Sequence, residues 1–209
     1  MAQAGHLPGT IGKLPPPTIH PLLVRISHWL NAAAMIVMIL SGWGIHNSYP
    51  IAPFLFPERI TLGGGLIGAL QWHFAAMWVL VANGLIYVTY GVLSGRFARK
   101  LLPVSIRLAL RDGFAALRGR LSHNDLSQYN GVQRLLYAGV LLLGVLIVLS
   151  GLAIWKPVQF QLLTLLLGGF DIARIVHFTA MSAIVLFTLV HVAMALIVPR
   201  SLLAMIRGH

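Results

Sequence analysis

The sequence predicts an all-α fold, an integral membrane four-helix bundle. The 209-residue chain is 58% hydrophobic and only 9% charged, with a mean hydropathy of +0.85, which lies outside the usual range of soluble domains. It contains four apolar stretches that approach or exceed the roughly 20 residues a helix needs to cross a bilayer. Its basic residues are segregated into the segments between and outside these stretches. We therefore expect one bundle in a lipid bilayer, without a separate globular domain.

The chain divides into three expected segments. Residues 1–24 are rich in proline and glycine, lack the apolar region of a signal peptide, and are predicted to form a cytoplasmic arm. Residues 25–199 form the transmembrane domain, with spans at about 26–46, 71–93, 132–155 and 172–198. Residues 200–209 are predicted to be a basic cytoplasmic tail.

Two connecting segments predict further helices. Residues 104–118 alternate apolar and basic side chains at helical spacing, which is typical of a helix lying in the membrane interface. Residues 156–169 are apolar but too short to cross the bilayer, so we expect an interfacial helix over the mouth of the bundle. Residues 48–68, with their prolines and three consecutive glycines, predict a folded surface loop.

The distribution of charge predicts the orientation. Twelve of the fifteen lysines and arginines lie in the two termini and the 94–130 segment, counting Arg25 and Arg134 at the span edges, and the opposite side carries only Arg59, Lys156 and Arg174. The positive-inside rule then places both termini in the cytoplasm. The formal net charge of +11 reflects this topology, and with no nucleic-acid-binding motif we expect no nucleic-acid partner.

Four histidines lie inside the predicted spans at two depths. His28 and His191 lie near the cytoplasmic ends of spans one and four, and His73 and His177 near the outer ends of spans two and four. His177 and His191 are fourteen residues apart, a helical rise of about 21 Å that keeps both on one face. We therefore expect His28 to pair with His191 and His73 with His177. The alternative for any single histidine is a hydrogen bond to a neighbouring helix.

The histidine pairs predict two bis-histidine haem b groups, with these four residues as the metal ligands. The chain has no cysteine, which excludes iron-sulfur clusters and covalently attached c-type haem, and zinc normally takes three or four protein ligands. Gly42 lies fourteen residues after His28, and Gly91 lies eighteen after His73, each near its ligand's face and at the depth of the other pair. We expect them to give clearance for haem, and the alternative is close helix packing.

Two arginines precede ligands by one helical turn. Arg25 and Arg174 each stand three residues before a histidine, His28 and His177, where a guanidinium could bind a haem propionate. The alternative is an arginine that snorkels to the interface. His46 shares the face of His28 but lies near the outer surface, so we expect it to line the outer site or to lie in the interface.

At these residues the chain resembles the four-helix, di-haem cytochrome b subunits of formate dehydrogenase, nickel-iron hydrogenase and thiosulfate reductase, which are related to bacterial cytochrome b561. The resemblance covers about residues 20–200 and rests on RISHW, QWHF and the histidine pair of span four. It implies the same four axial ligands, a multi-pass protein of the bacterial inner membrane, and electron transfer between a periplasmic redox enzyme and quinone. The segments SGWGIH, YNGVQRLLY and SGLAIWKPVQ are similar to the branch that accompanies periplasmic molybdenum enzymes.

The quinone site and the partner's docking surface are less specifically marked. Asn31, Tyr129, Asn130 and Gln133 lie at the cytoplasmic ends of spans one and three, and we assign a quinone contact first to Asn130, with helix capping as the alternative. Lys156, Arg174 and the 156–170 connection are the expected docking surface.

Two other function classes compete with an electron-transfer subunit. The first is a self-sufficient superoxide:quinone oxidoreductase of the same fold, in which Arg59, Lys156 and Arg174 would attract superoxide. The second is a haem-free transporter or metal channel, against which stands the lack of an inverted repeat or of carboxylates inside the spans.

Overall fold

The computed structural model describes residues 20–118 and 130–208. The described chain is helical and contains no strand. Its helices, in order, are α1 Leu22–Ser48, α2 Leu66–Leu93, α3 Arg96–Leu101, α4 Ile106–Leu117, α5 Gly131–Trp155, α6 Gln161–Leu166, α7 Phe170–Ile197 and α8 Pro199–Arg207, with a short 3-10 turn at Glu58–Ile60 between α1 and α2.

Four of these helices are long and apolar enough to cross a membrane: α1, α2, α5 and α7, with 27, 28, 25 and 28 residues. The predicted fold class is therefore confirmed. α1 begins four residues earlier than expected, directly after Pro21, and α2 begins five residues earlier, directly after Gly65. Positive φ angles at Gly63, Gly64 and Gly65 are accessible to glycine at little cost, so these three residues end the loop and let α2 start at Leu66.

The long helices pack as two pairs, α1 with α2 and α5 with α7. Most of the buried side chains on them are small, among them Ala34, Ser41, Ala69, Ala76, Ser150, Ala153, Ala173 and Ala180. Small residues let helix backbones approach closely, which is the usual basis of helix packing in a bilayer. Large apolar residues such as Leu85, Leu142 and Leu186 stay more than 60% exposed in the protein, as expected where lipid covers the outer faces.

One end of the bundle is closed by the short helices α3, α4 and α8 and is called here the α8 end. α4 covers the N-terminus of α5, where Asp112 Oδ2 accepts a hydrogen bond of 2.7 Å from the Gly131 amide. A carboxylate is favourable at a helix N-terminus because of the helix dipole. A Cβ at Gly131 would stand 2.7–2.9 Å from the backbone of Leu108 and Ala109, so glycine permits this close approach. The helix predicted from residues 104–118 is thus confirmed.

The predicted basic tail is itself a helix, α8, which begins with Pro199 at its first position, a position that suits proline. The Arg25 guanidinium donates hydrogen bonds to the carbonyls of Met205 and Ile206 at its C-terminus. The His20 amide also donates to the Gly208 carbonyl at 3.4 Å. The two ends of the described chain therefore meet at the α8 end.

The opposite end, called here the α6 end, carries the loop between α1 and α2 and the connection between α5 and α7 that contains α6. Asn47 binds the backbone of Phe56 twice at 2.8 Å, and the ring of Phe56 stacks on Trp43 at 4.7 Å. These contacts hold the loop after α1 as the predicted folded surface segment. The helix expected within residues 156–169 is present as α6, where Thr164 Oγ1 donates to the Ala153 carbonyl at 3.3 Å.

Candidate functional site

His28 and His191 meet at the α8 end of the bundle. Their ring centroids are 5.9 Å apart and their planes are inclined by 62°. Trp29 contacts His28 edge-on at 5.2 Å, and Phe187 stacks on His191 at 5.8 Å. Both imidazoles are half-buried. The structure thus brings together the first predicted pair, with one residue from each helix pair.

His73 and His177 meet nearer the α6 end. Their ring centroids are 6.4 Å apart and their planes are inclined by 64°. α2 supplies His73 and α7 supplies His177, so this contact also joins the two helix pairs. Because α7 contributes one histidine to each contact, both lie along the same face of one membrane-spanning helix.

The separation of the rings in each pair can be compared with that of two imidazoles bound to one iron atom. A metal lies about 2 Å from a ligating histidine nitrogen, and that nitrogen lies about 1 Å from its ring centre, so two opposed rings would have centroids about 6 Å apart. The observed centroid distances of 5.9 and 6.4 Å are compatible with this value, and the two rings of each pair meet edge-on. In residues 20–118 and 130–208, no group of three or more histidine, cysteine, aspartate or glutamate side chains could hold a metal ion. Each pair thus offers two imidazoles, the donor set that a bis-histidine haem would use.

The imidazoles of the second pair are oriented by two serines. Ser41 Oγ lies 3.0 Å from His73 Nδ1, and Ser150 Oγ lies 3.1 Å from His177 Nδ1. Both serines are fully buried, at 0% exposure. With Nδ1 occupied, Nε2 is the nitrogen left for a ligand, which is the usual arrangement at a histidine that binds a metal. Sequence reasoning missed these serines, although a repeated Leu-Ser-Gly at 40–42 and 149–151 marks both.

Comparison with known proteins assigns the family. The model of the family described as "Prokaryotic cytochrome b561" matches residues 19–208. The chain belongs to the prokaryotic cytochrome b561 family. It is also 53% identical over 191 residues to the "Putative protein-methionine-sulfoxide reductase subunit YedZ1" of Azospira oryzae, an alignment that covers 91% of this chain and 96% of that protein. No solved structure matches the chain.

Membership of this family makes the protein a membrane haem b electron-transfer subunit, a multi-pass protein of the bacterial inner membrane. The four long apolar helices agree with this assignment. Imidazole nitrogen is a known ligand of b-type haem, and the role of the two histidine pairs as haem ligands stays a prediction.

Glycines contact the histidines of the second pair in this cytochrome. A Cβ on Gly42 would lie 3.6 Å from His73 Cε1, and a Cβ on Gly151 would lie 3.2 Å from His177 Cε1. Gly42 therefore lies beside the second pair, at the expected depth, and its role in giving clearance for haem stays a prediction. Gly91 differs, because a side chain there would overlap the ring of Phe97 in α3. The absence of a side chain at Gly91 lets α3 pack closely against α2. Close helix packing is the alternative that the sequence left open.

The two arginines bind protein carbonyls. Arg25 caps α8, as described above. Arg174 donates to the Tyr49 carbonyl at 2.7 Å, lies 4.1 Å from the centre of the Tyr49 ring, and is 4.0 Å from Asp171. A guanidinium has five N–H donors, and these contacts use part of them. A propionate contact for either arginine stays a prediction.

The polar residues assigned to quinone have structural roles. Asn130 is the N-cap of α5: its side chain accepts from the Gln133 amide at 2.8 Å, and its own amide donates to Gln133 Oε1 at 3.1 Å. Asn31 accepts a bond of 2.7 Å from Asn83 Nδ2, which also donates to the Ser27 carbonyl at 2.8 Å. Sequence reasoning missed Asn83, a buried link between α1 and α2 next to His28. Tyr129 lies outside the described residues.

His46 is buried in an aromatic cluster at the α6 end. His46 is only 4% exposed. Its ring stacks against Phe54 and Phe178, with centroid distances of 5.2 and 5.0 Å, and Phe56 contacts it edge-on at 5.3 Å. Neither ring nitrogen has a hydrogen-bond partner among the described residues. Three phenyl rings thus shield His46 from water, and its expected position, lining the outer site or lying in the membrane interface, stays a prediction. Phe178 directly follows His177, so the cluster borders the second pair.

Proposed function

We propose that this cytochrome binds two haem b groups and carries electrons across the bacterial inner membrane between the quinone pool and a periplasmic redox enzyme. The observation that carries the proposal is the meeting of His28 with His191 and of His73 with His177 at two depths of the same bundle. Haem supplies one-electron redox chemistry when it is bound, and the protein supplies its position, axial ligands and surroundings.

The distribution of basic residues supports an orientation for the two sites. The α8 end carries Arg25, Arg96, Arg99, Lys100, Arg107, Arg111, Arg134, Arg200 and Arg207, whereas the α6 end carries Arg59, Lys156 and Arg174. By the positive-inside rule the α8 end faces the cytoplasm. His28 and His191 would then hold the cytoplasmic haem, and His73 and His177 the periplasmic haem.

The relative from Azospira oryzae supports the choice of partner. Its name describes a subunit of a protein-methionine-sulfoxide reductase, and 96% of its length aligns with this chain. We therefore propose a periplasmic protein-methionine-sulfoxide reductase as the partner, with molybdenum at its active site as the branch resemblance suggests. Reducing a methionine sulfoxide to methionine and water takes two electrons and two protons. Quinol oxidation releases the same number of both, so electrons would flow outward.

The partner would dock at the α6 end. Lys156 lies 5.2 Å from the ring centre of Trp155, and Arg174 is held by Tyr49. Between them the connection through α6 exposes apolar side chains: Val158, Leu162 and Leu166 are 82%, 72% and 75% exposed. An apolar patch with cations beside it, next to the second histidine pair, is suited to a protein partner that exchanges electrons there.

Spectroscopy and turnover of the purified chain test the proposal. We expect a reduced b-type α-band, two haems per chain, and haem reduction by quinol. Methionine sulfoxide should reoxidise the haems only when the co-purified periplasmic enzyme is present. A colourless chain would overturn the cytochrome assignment. Quinone reduction by superoxide without any partner would instead identify a self-sufficient oxidoreductase.

A further inference from the structure

The environment of the second histidine pair is repeated in the two helix pairs. α1 carries Leu-Ser-Gly at 40–42 and α5 carries it at 149–151. The facing helices carry a second repeat, in which histidine and phenylalanine stand between two alanines: Ala69, His73, Phe74 and Ala76 in α2, and Ala173, His177, Phe178 and Ala180 in α7. All four alanines are buried, at 0–7% exposure. In each helix pair, the imidazole of one helix thus faces a serine and a glycine of the other helix.

The hydrogen bonds fix which nitrogen of each imidazole carries the proton. His177 Nδ1 lies 3.1 Å from both Ser150 Oγ and the Ile147 carbonyl oxygen. A carbonyl oxygen can only accept, so His177 Nδ1 is protonated and Nε2 keeps its lone pair.

The same conclusion holds for His73. Ser41 Oγ is 2.6 Å from the Val37 carbonyl, so its single proton is donated along its own helix. Its contact of 3.0 Å with His73 Nδ1 is then one in which the imidazole N–H donates and the hydroxyl oxygen accepts. Ser150 makes the matching bond of 2.8 Å to the Leu146 carbonyl.

We propose that Ser41 and Ser150 are positioning residues of the periplasmic haem: by accepting the Nδ1–H of His73 and His177, they direct both Nε2 lone pairs toward one iron. This inference rests on the proposed function. An N–H that donates to a buried oxygen makes its imidazole a stronger electron donor to the metal, which stabilises the oxidised iron. The serines therefore keep the periplasmic haem's midpoint potential lower than it would be without them. They also fix the ring orientation, and residues in this role commonly change metal affinity by about 10- to 100-fold.

The test compares three serine-to-alanine variants of the full-length protein. Ser41→Ala removes the hydroxyl that accepts from His73 Nδ1, and Ser150→Ala removes one of the two acceptors of His177 Nδ1, leaving the Ile147 carbonyl. Both replacements change the side-chain volume little, and Ser41→Ala is expected to have the larger effect. Ser182→Ala is the matched control, since Ser182 makes the same kind of bond to its own helix, 2.9 Å to the Phe178 carbonyl, but is exposed on α7. Ser41→Thr keeps the acceptor hydroxyl and serves as the rescue. The measurements are the haem-to-protein ratio with limiting haem and a redox titration of the α-band.

We expect Ser41→Ala and Ser150→Ala to bind the periplasmic haem about tenfold or more weakly and to raise its midpoint potential, with the cytoplasmic haem unchanged. Ser41→Thr should restore the wild-type potential, and Ser182→Ala should behave as wild type. Titrations that match Ser182→Ala would overturn the positioning role while leaving the di-haem function intact. Equal shifts of both haems would also overturn it, because they would indicate a general loosening of the bundle. A wild-type chain without haem would instead remove the proposed function itself.

Discussion

The imidazoles of His28 and His191 lie 5.9 Å apart although their helices, α1 and α7, belong to different packed pairs. His73 and His177 repeat this relationship between α2 and α7. Both contacts therefore span the boundary between the two helix pairs. An iron ligated by either pair would tie the halves of the bundle together, so haem binding and bundle stability should be coupled.

The first prediction is that the two haems can be removed separately. Replacing His28 or His191 by alanine should halve the haem content from two per chain to one, because each takes one axial ligand from the cytoplasmic haem alone. The variants His73→Ala and His177→Ala should also keep one haem per chain, in this case the cytoplasmic haem. Pyridine haemochrome content and redox titration distinguish the remaining group.

The two sets of variants act as controls for each other. The His28→Ala variant should keep the periplasmic haem and its midpoint potential. The His73→Ala variant should lack that midpoint potential. If His28→Ala and His177→Ala kept the same single haem, the proposed pairing would be wrong.

Much of this architecture follows from local sequence. Hydropathy predicts the four spans because a helix must satisfy its own backbone in lipid, and helical periodicity predicts the depth and face of His28, His73, His177 and His191. The bonds of Ser41 and Ser150 could not be predicted in this way, because they depend on which helices are neighbours. The same holds for the contact between Gly91 and Phe97, which brings together α2 and α3.

Arg25 and Asn83 show more clearly what cannot be predicted from local sequence. Arg25 precedes His28 by one turn, and this spacing is compatible with either a haem propionate or a backbone carbonyl as its partner. The carbonyls of α8 come from the far end of the chain, so periodicity within α1 carries no information about them. Asn83 looks like an isolated polar residue in span two until α1 places Ser27 and Asn31 beside it.

The second prediction separates the two roles of Asn130. Asn130→Asp keeps an oxygen that can accept from the Gln133 amide, so the cap of α5 should persist, while Asn130→Ala should destabilise the protein by about 1 kcal/mol through loss of the cap. If the side-chain NH2 of Asn130 also donates to a quinone carbonyl, Asn130→Asp should raise the KM for quinol several-fold without lowering thermal stability. A stable Asp variant with an unchanged KM would leave Asn130 as a helix cap only.

The third prediction concerns His46. Two buried ring nitrogens without partners reduce stability, since leaving a buried polar group unpaired costs about 1–3 kcal/mol. His46→Leu should therefore keep both haems and raise the free energy of unfolding by about 1 kcal/mol, measured by thermal unfolding of the detergent-solubilised holoprotein. Loss of the periplasmic haem in this variant would show instead that His46 contacts the cofactor.

The fourth prediction is a pH dependence at the α8 end. Burial, and then the charges of Arg96 and Lys100, lower the pKa of His20 from 6.5 to about 4, and His20 Nδ1 accepts a bond of 3.4 Å from Arg96. Between these two pH values the unfolded chain binds a proton that the folded chain does not. The stability contributed by neutral His20 is therefore complete above pH 6.5 and decreases as the pH falls toward 4.

The variant His20→Gln isolates this contribution. Glutamine keeps an acceptor for Arg96 but does not titrate, so its melting temperature should fall less than that of the wild type between pH 7 and pH 4.5. The histidines of the spans are common to both proteins and cancel in the comparison. Because the His20 amide also binds the Gly208 carbonyl, the same acidification should increase hydrogen exchange in α8 of the wild type more than in His20→Gln. Identical pH profiles for the two proteins would show that His20 has the same affinity for protons before and after folding.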